Sequence, residues 1–325
     1  MVRLRRVRID APGWSRRRAG RGFLYLDLAR GRITDAESLD RIRALAIPPA
    51  WREVWISPWP HGHIQAAGLD DAERRQYLYH QQWRVRRDRL KHDRVLEIAA
   101  RLPAARRRVR HDLRLDGMPR EKVLALAFRL LDLAYLRVGG EGYAVRHGSY
   151  GLATLLRSHV TVHADDRIHL HFPAKSGQLR DTVVDDEDVA TVIRSLKRRS
   201  DDGEELLAWR EADAWHDVTS ADVGAYVKEL LGPDATPKDF RTWHATVLAA
   251  RGLAAAGPPP ASERARRTVV TAVVRDVADE LGNTPAVCRA SYIDPRVIDL
   301  WEHGRSIPLT RSQAAAERET LALLA

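Results

Sequence analysis

The sequence predicts an α+β protein: a small sheet-containing N-terminal domain, residues 1–84, followed by a larger, mostly helical domain, residues 85–325, with one inserted β-hairpin. Three observations predict it. Short aromatic and β-branched segments crowd residues 21–83, long helical periods begin near residue 84, and a single pair of period-two segments interrupts the helices. At 325 residues, 44% hydrophobic and 30% charged, the chain can build two packed cores.

Taken in order, Gly22-Phe-Leu-Tyr-Leu-Asp reads as a strand, Thr34 to Ala46 as a helix, and Glu53-Val-Trp-Ile-Ser as a second strand before a Pro/Gly-rich turn. His63-Ile-Gln-Ala and Gln76-Tyr-Leu-Tyr-His follow as further strands. Residues 84–101 form a basic helix that Pro103 is expected to end. Residues 119–136 form a strongly apolar helix with Pro119 at its start and Arg137-Val-Gly-Gly as its stop. His159-Val-Thr-Val-His and Arg167-Ile-His-Leu-His-Phe alternate across Ala164-Asp-Asp, the hairpin. Helices at 187–199, 219–231, 237–252, 262–281 and near 310–324 complete the domain, with Gly257-Pro-Pro-Pro-Ala as a loop.

Charge is distributed unevenly. The net charge is +10, and 48 of the 54 cations are arginines. Residues 1–22 carry +7 and residues 84–110 carry +8, which leaves the rest of the chain at −5. Such concentration is the footprint of a polyanion binder, although solvated basic helix faces produce the same pattern. A single cysteine, Cys288, excludes a disulfide scaffold and a cysteine-based zinc site. No run of 18 apolar residues exists, and no apolar segment follows the basic N-terminus, so neither a membrane span nor a signal peptide is expected. A cytoplasmic, nucleoid-associated protein is the expectation.

No Gly-rich phosphate loop, His-Glu-x-x-His or Gly-x-Ser-x-Gly is present. Several of the 13 histidines fall in the hairpin, but no acidic residue stands at ligand spacing beside them, so no metal site is expected. Asp185-Asp186-Glu187-Asp188 reads as a solvated loop entering a helix N-terminus. What remains is a scattered set: Arg137 at its Gly-Gly turn, Lys175 in Phe172-Pro-Ala-Lys-Ser-Gly, Arg241 in Lys238-Asp-Phe-Arg-Thr-Trp-His, Asn283 in Leu281-Gly-Asn-Thr-Pro, and Tyr292. Each has an ordinary structural use as well, and spacing alone does not join them.

Their order and surroundings do resemble a known family. Leu136-Arg-Val-Gly, Pro173-Ala-Lys-Ser-Gly, Lys238-Asp-Phe-Arg-Thr-Trp, Leu281-Gly-Asn-Thr-Pro, Ser291-Tyr and, nearer the N-terminus, Arg74-Arg-Gln-Tyr-Leu-Tyr are similar to stretches of the type IB DNA topoisomerases, in the poxvirus-like branch found also in bacteria. The resemblance spans roughly residues 20 to 300. It implies a catalytic domain shared with the tyrosine recombinases, and two domains forming a clamp around double-stranded DNA. It also implies a monomer that relaxes supercoils without ATP, cofactor or obligatory metal.

Carried onto this chain, the resemblance makes Tyr292 the nucleophile that forms a 3′-phosphotyrosyl link. Arg137 and Arg241 would clamp the nonbridging oxygens, a task suited to guanidinium forks. Lys175 would protonate the expelled 5′ oxygen. Asn283 stands where viral and nuclear members carry His, and it can donate a hydrogen bond but bear no charge. Gln76, Tyr77, Tyr79, Tyr143 and Lys238 match DNA-contacting positions. Two alternatives stay open, a tyrosine site-specific recombinase and a non-catalytic DNA-binding protein on the same fold. Against the first stands Lys238, three residues before Arg241, where recombinases usually carry His.

Overall fold

The computed structural model describes residues 3–140, 142 and 148–325. They divide into two units, Met1–Lys91 and His92–Ala325.

The first unit is an antiparallel sheet of five strands in the order β2-β1-β3-β4-β5. These are β1 (Trp14–Ala19), β2 (Gly22–Leu26), β3 (Arg52–Ile56), β4 (Ile64–Leu69) and β5 (Arg75–Tyr79). Helix α1 (Ala36–Ala44), capped by the Asp35 carboxylate accepting from the Ser38 N–H, buries Ile42 in a small core with Ile33, Val54, Ile56 and Ala66. Strand β1 is an element that the pattern of the sequence hides, because its Arg16-Arg-Arg run reads as a charged coil. Arg16 belongs to the scaffold: its guanidinium donates to the carbonyls of Ile47, Pro48 and Trp51.

Helix α2 (Gln81–Asp112) runs through Pro103, where the sequence predicts a stop. Val95, Ile98 and Leu102 before the proline and Ala105 and Val109 after it are all buried in one core. Burying each large aliphatic side chain yields about 1.5–3 kcal/mol, and together these outweigh the roughly 3 kcal/mol that an interior proline costs.

In the second unit α3 (Arg120–Ala134) is buried around nearly its whole circumference from Val123 to Ala134, which marks a helix at the centre of a large core. The predicted hairpin is a three-stranded sheet: β6 (Val160–Val162), β7 (Arg167–Pro173) and β8 (Leu179–Asp185). Strand β8 exposes Leu179 and Val183 on the same face as Asp181 and sets Arg180 and Thr182 on the face of the buried Val184, so no apolar–polar alternation shows in the sequence. A two-stranded ribbon, β9 (Ala208–Glu211) and β10 (Ala214–Asp217), is also unexpected. The remaining helices are α4 (Glu187–Lys197), α5 (Ser220–Leu231), α6 (Pro237–Ala255), α7 (Glu263–Leu281), α8 (Pro285–Ser291), α9 (Pro295–Glu302) and α10 (Gln313–Leu324). As expected, Asp186 caps a helix, accepting from the Val189 N–H at the start of α4. No helix among the described residues is long and apolar enough to cross a membrane.

Candidate active site

Two helix ends and one helix start converge. Helix α3 stops at Tyr135, held in the left-handed region at φ 54°, which turns the chain so that Arg137 leaves the helix axis. The Arg137 carbonyl accepts from the Leu152 N–H at 2.9 Å. There the backbones of Gly139 and Gly151 cross so closely that a Cβ on Gly151 would lie 2.4 Å from the Gly139 Cα. Helix α7 ends at Gly282, also left-handed at φ 61°, with Asn283 next. Helix α6 opens with Pro237 at its first turn, and the Asp239 carboxylate accepts from both the N–H and the hydroxyl of Thr236. That turn sets Lys238 and Arg241 one helical turn apart.

The last carbonyls of a helix have no partner within it and form the negative end of its dipole. Here they are met by three arginines in series. Arg180, from β8, donates to Ala134 O at 2.8 Å and Glu280 O at 2.7 Å. Arg241 donates to Tyr135 O and to Leu281 O. Arg137 donates to Gly282 O at 3.2 Å and to the Asn283 Oδ1. None of the three pairs with a carboxylate among the described residues. Arg241 is only 3% exposed, and its pKa falls to about 10, first through burial and then through the charge of Arg137. Arg180 is also lowered, chiefly by burial, although the Glu280 carboxylate acts the other way. The Nε of Arg241 and the Nδ2 of Asn283 are buried donors with no hydrogen-bond partner among the described residues. Such a cluster is incomplete without an anion.

Tyr292 stands beside it. The residue ends α8, whose first turn is capped by Thr284, and Asp294 two residues on caps α9. The Thr246 hydroxyl of α6 donates to Thr242 O at 2.8 Å and accepts from the Asp294 N–H at 3.1 Å, which pins this corner to α6. The ring, 8% exposed, lies 5.1 Å from the Arg241 guanidinium and 5.5 Å from the Lys238 Nζ. Burial alone would push the phenol's pKa up. The charge and hydrogen bonding of Arg241, with the charges of Lys238 and Arg137, more than reverse this, so it lies below its ordinary value. Tyr292, Arg137, Lys175, Lys238 and Arg241 line one cleft of about 530 Å³. Lys175 occupies the turn between β7 and β8, exposed, with Gly177 at φ 71° closing the turn. The described residues lining the cleft include no carboxylate, histidine or cysteine.

Residues 80–301 match the family model for the catalytic core of eukaryotic DNA topoisomerase I, about two thirds of the chain. The chain belongs to the type IB DNA topoisomerase family. Residues 22–70 match the N-terminal domain of bacterial DNA topoisomerase IB. The chain is also 26% identical over 298 residues to DNA topoisomerase 1B of Acanthamoeba polyphaga mimivirus, an alignment covering 90% of this chain and 88% of that one. It is an isomerase that acts on DNA.

The topoisomerase thus brings Arg137, Lys175, Arg241 and Tyr292 to one cleft, with Asn283 held against Arg137. Lys238 shares that cleft and faces the Tyr292 ring. Arg180 was not among the sequence candidates. It comes five residues after Lys175 on an unrecognised strand, and no sequence signal distinguishes it from a surface arginine. In the N-terminal unit Tyr77 and Tyr79 stack at 5.9 Å on one face of β5, with Tyr77 38% exposed, while Leu78 between them packs on the small core. Gln76 donates to the Asp70 carboxylate. Tyr143 lies outside the described residues.

The basic segment 84–110 also divides. Arg84, Arg86, Arg87 and Arg89 are exposed, whereas Arg94 pairs with Asp239, Arg106 with Asp132 and Glu317, and Arg108 with Asp112, and Arg101 donates to Leu231 O. Net charge from sequence therefore overstates what this segment can offer a polyanion. His244, three residues past Arg241, is buried with its Nε2 3.0 Å from Asp132 and is not part of the cleft lining.

Proposed function

We propose that this topoisomerase relaxes supercoiled DNA without ATP, as a monomer on nucleoid DNA, by transient cleavage of one strand. The Tyr292 oxygen bonds to the scissile phosphorus, the bond to the 5′ oxygen breaks, and a 3′-phosphotyrosyl link holds the strand while the free end rotates. Return attack by the 5′-hydroxyl restores the phosphodiester.

The observation that carries the reading is the uncompensated guanidinium cluster beside a phenol whose pKa is depressed. A free tyrosine is phenolate in roughly one molecule in a thousand at pH 7, and the surrounding cations raise that fraction. Charge accumulating on the nonbridging oxygens would meet Arg137 and Arg241, which are already oriented by helix-end carbonyls, so little reorganisation is needed. Asn283, whose Nδ2 has no partner among the described residues, would add a neutral donor. Lys175, exposed on its turn, would deliver the proton to the leaving 5′ oxygen. Lys238 acts on the Tyr292 phenol through its charge. The stacked Tyr77 and Tyr79, with Gln76, offer the duplex a contact from the N-terminal unit, and exposed arginines such as Arg84 to Arg89 give salt-sensitive phosphate contacts.

Denaturing the protein during reaction with labelled DNA should trap a covalent adduct on Tyr292, and Tyr292→Phe should abolish both adduct and relaxation while retaining DNA binding. Relaxation by that variant at the wild-type rate would overturn the assignment. Relaxation of plasmids that share no common site distinguishes this reading from site-specific recombination.

A further inference from the structure

We propose that the outer face of β7 and β8 binds one divalent transition-metal ion of the zinc class through His169, His171 and Asp181, clipping together the two strands that hold Lys175 between them. The site arises from the sheet register. Ile168, Leu170 and Phe172 of β7 point into the core, each at most 2% exposed, so His169 and His171 are forced onto the opposite face. Asp181 pairs directly with His171 across the ladder and lies diagonal to His169, whose own partner is Val183. Its two carboxylate oxygens reach the two imidazoles: Oδ1 stands 2.8 Å from His169 Nε2 and Oδ2 stands 3.1 Å from His171 Nδ1.

The ligand atoms of the three residues all lie within 4.8 Å of one another. Ligands about 2.0–2.1 Å from a tetrahedral zinc ion are about 3.3 Å apart, so side-chain adjustment alone can admit the ion. Two imidazole nitrogens with one carboxylate suit zinc, nickel, cobalt or copper and disfavour magnesium, which demands oxygen ligands. The three residues are partly or largely exposed, which gives the ion a path from solvent and leaves its remaining positions to water. His163, its ring centroid 6.4 Å from that of His169, is a further imidazole beside the site.

The placement gives the ion a consequence. His171 precedes Lys175 by four residues and Asp181 follows it by six, so a bound ion spans the root of the Lys175 turn. The cleft residues are separate from these ligands, so the site can be emptied by mutation without touching the cleft lining.

Cobalt(II) chloride titrated into the untagged full chain should give visible ligand-field absorption saturating at one equivalent, competed by zinc and not by millimolar magnesium. His169→Ala, His171→Ala and Asp181→Asn should each weaken binding at least about tenfold, since even outer-shell partners are worth 10–100-fold, with the melting temperature of the metal-free protein unchanged. No saturable binding below about 1 mM, or binding that the three variants leave unaltered, would overturn the site. Zinc should also slow amide exchange in β7 and β8 of the wild type and not of the variants. Unchanged exchange with the metal bound would overturn the clip.

Discussion

Two buried arginine clusters lie near the end of α3, and they are built on opposite terms. In one, Asp132 takes Arg106 at 2.8 Å, Arg129 at 3.0 Å and His244 at 3.0 Å, and Glu317 takes the other face of Arg106. In the other, beginning two residues later along the chain, Arg180, Arg241 and Arg137 donate to helix-end carbonyls and an amide oxygen, Arg241 also bonds the Tyr292 phenol, and none pairs with a carboxylate among the described residues. The carboxylate of the first cluster is held well below its usual range, because hydrogen bonds and charge from His244 and Arg106 outweigh its burial. The pKa of Arg241 in the second is pulled down by burial and by a neighbouring cation. Burial of arginine by itself therefore says little about role. The compensated cluster holds the core together, and the other meets no paired carboxylate among the described residues, which suits the anion that the proposed reaction brings to it.

The comparison can be broken most directly by removing one member of each cluster. Arg241→Ala should lower single-turnover DNA cleavage by about 10²–10³-fold, the scale of a lost oxyanion donor, with little fall in melting temperature. Asp132→Ala should destabilise the fold by about 3–5 kcal/mol, because Arg106 and Arg129 are left buried without their shared acid. Denaturant melts and cleavage rates on both variants provide the check. A stable Asp132→Ala protein, or an active Arg241→Ala protein, would erase the distinction.

A smaller effect is expected at Arg180. It joins the ends of α3 and α7 to β8 and therefore sets the positions of Arg137 and Lys175 indirectly. Arg180→Ala should slow cleavage about tenfold, the effect of one charge-assisted hydrogen bond, at unchanged affinity for DNA. A weakened affinity with the cleavage step intact would show that Arg180 grips DNA instead.

Acid sharpens the stability half of the comparison. The Asp132 carboxyl is lowered in the fold, so its contribution is fully present above the unfolded value of about 3.9 and is lost as pH falls toward its folded value. Unfolding curves below pH 4 should steepen in the wild type and flatten in Asp132→Asn. The weakest effect concerns Lys238, one of several cations that depress the Tyr292 phenol. Cleavage should rise with pH until that phenol ionises, below pH 10, and Lys238→Gln should move the rise to higher pH. An unmoved pH–rate profile would remove Lys238 from that role.

Much of the fold was legible because its signals are local. Pro119, the apolar run to Leu136 and the glycines after Arg137 marked α3 to within two residues. The opposite held for β1 and β8, where arginines occupy both faces, Arg16 and Arg180 turning inward to backbone carbonyls, and little apolar alternation is left to detect. Pro103 misled because a local rule was overridden by a buried stripe on both sides of it. Sequence spacing sets no acid beside the hairpin histidines, whereas in the fold Asp181 meets His169 and His171 across a strand pair that such spacing does not encode.

By itself, the sequence determined a two-part α+β chain, a basic bias toward a polyanion, and an ordered series of motifs that places it in its family. It could also name Arg137, Lys175, Lys238, Arg241, Asn283 and Tyr292 one by one. Only tertiary structure decided which cations face acids and which face none, because a charge's partner is set by which helix ends and strands meet in space. That sorting made internal ion pairs of Arg94 and Arg106, brought Arg180 to the helix ends beside Arg137 and Arg241, and set Tyr292 between Lys238 and Arg241.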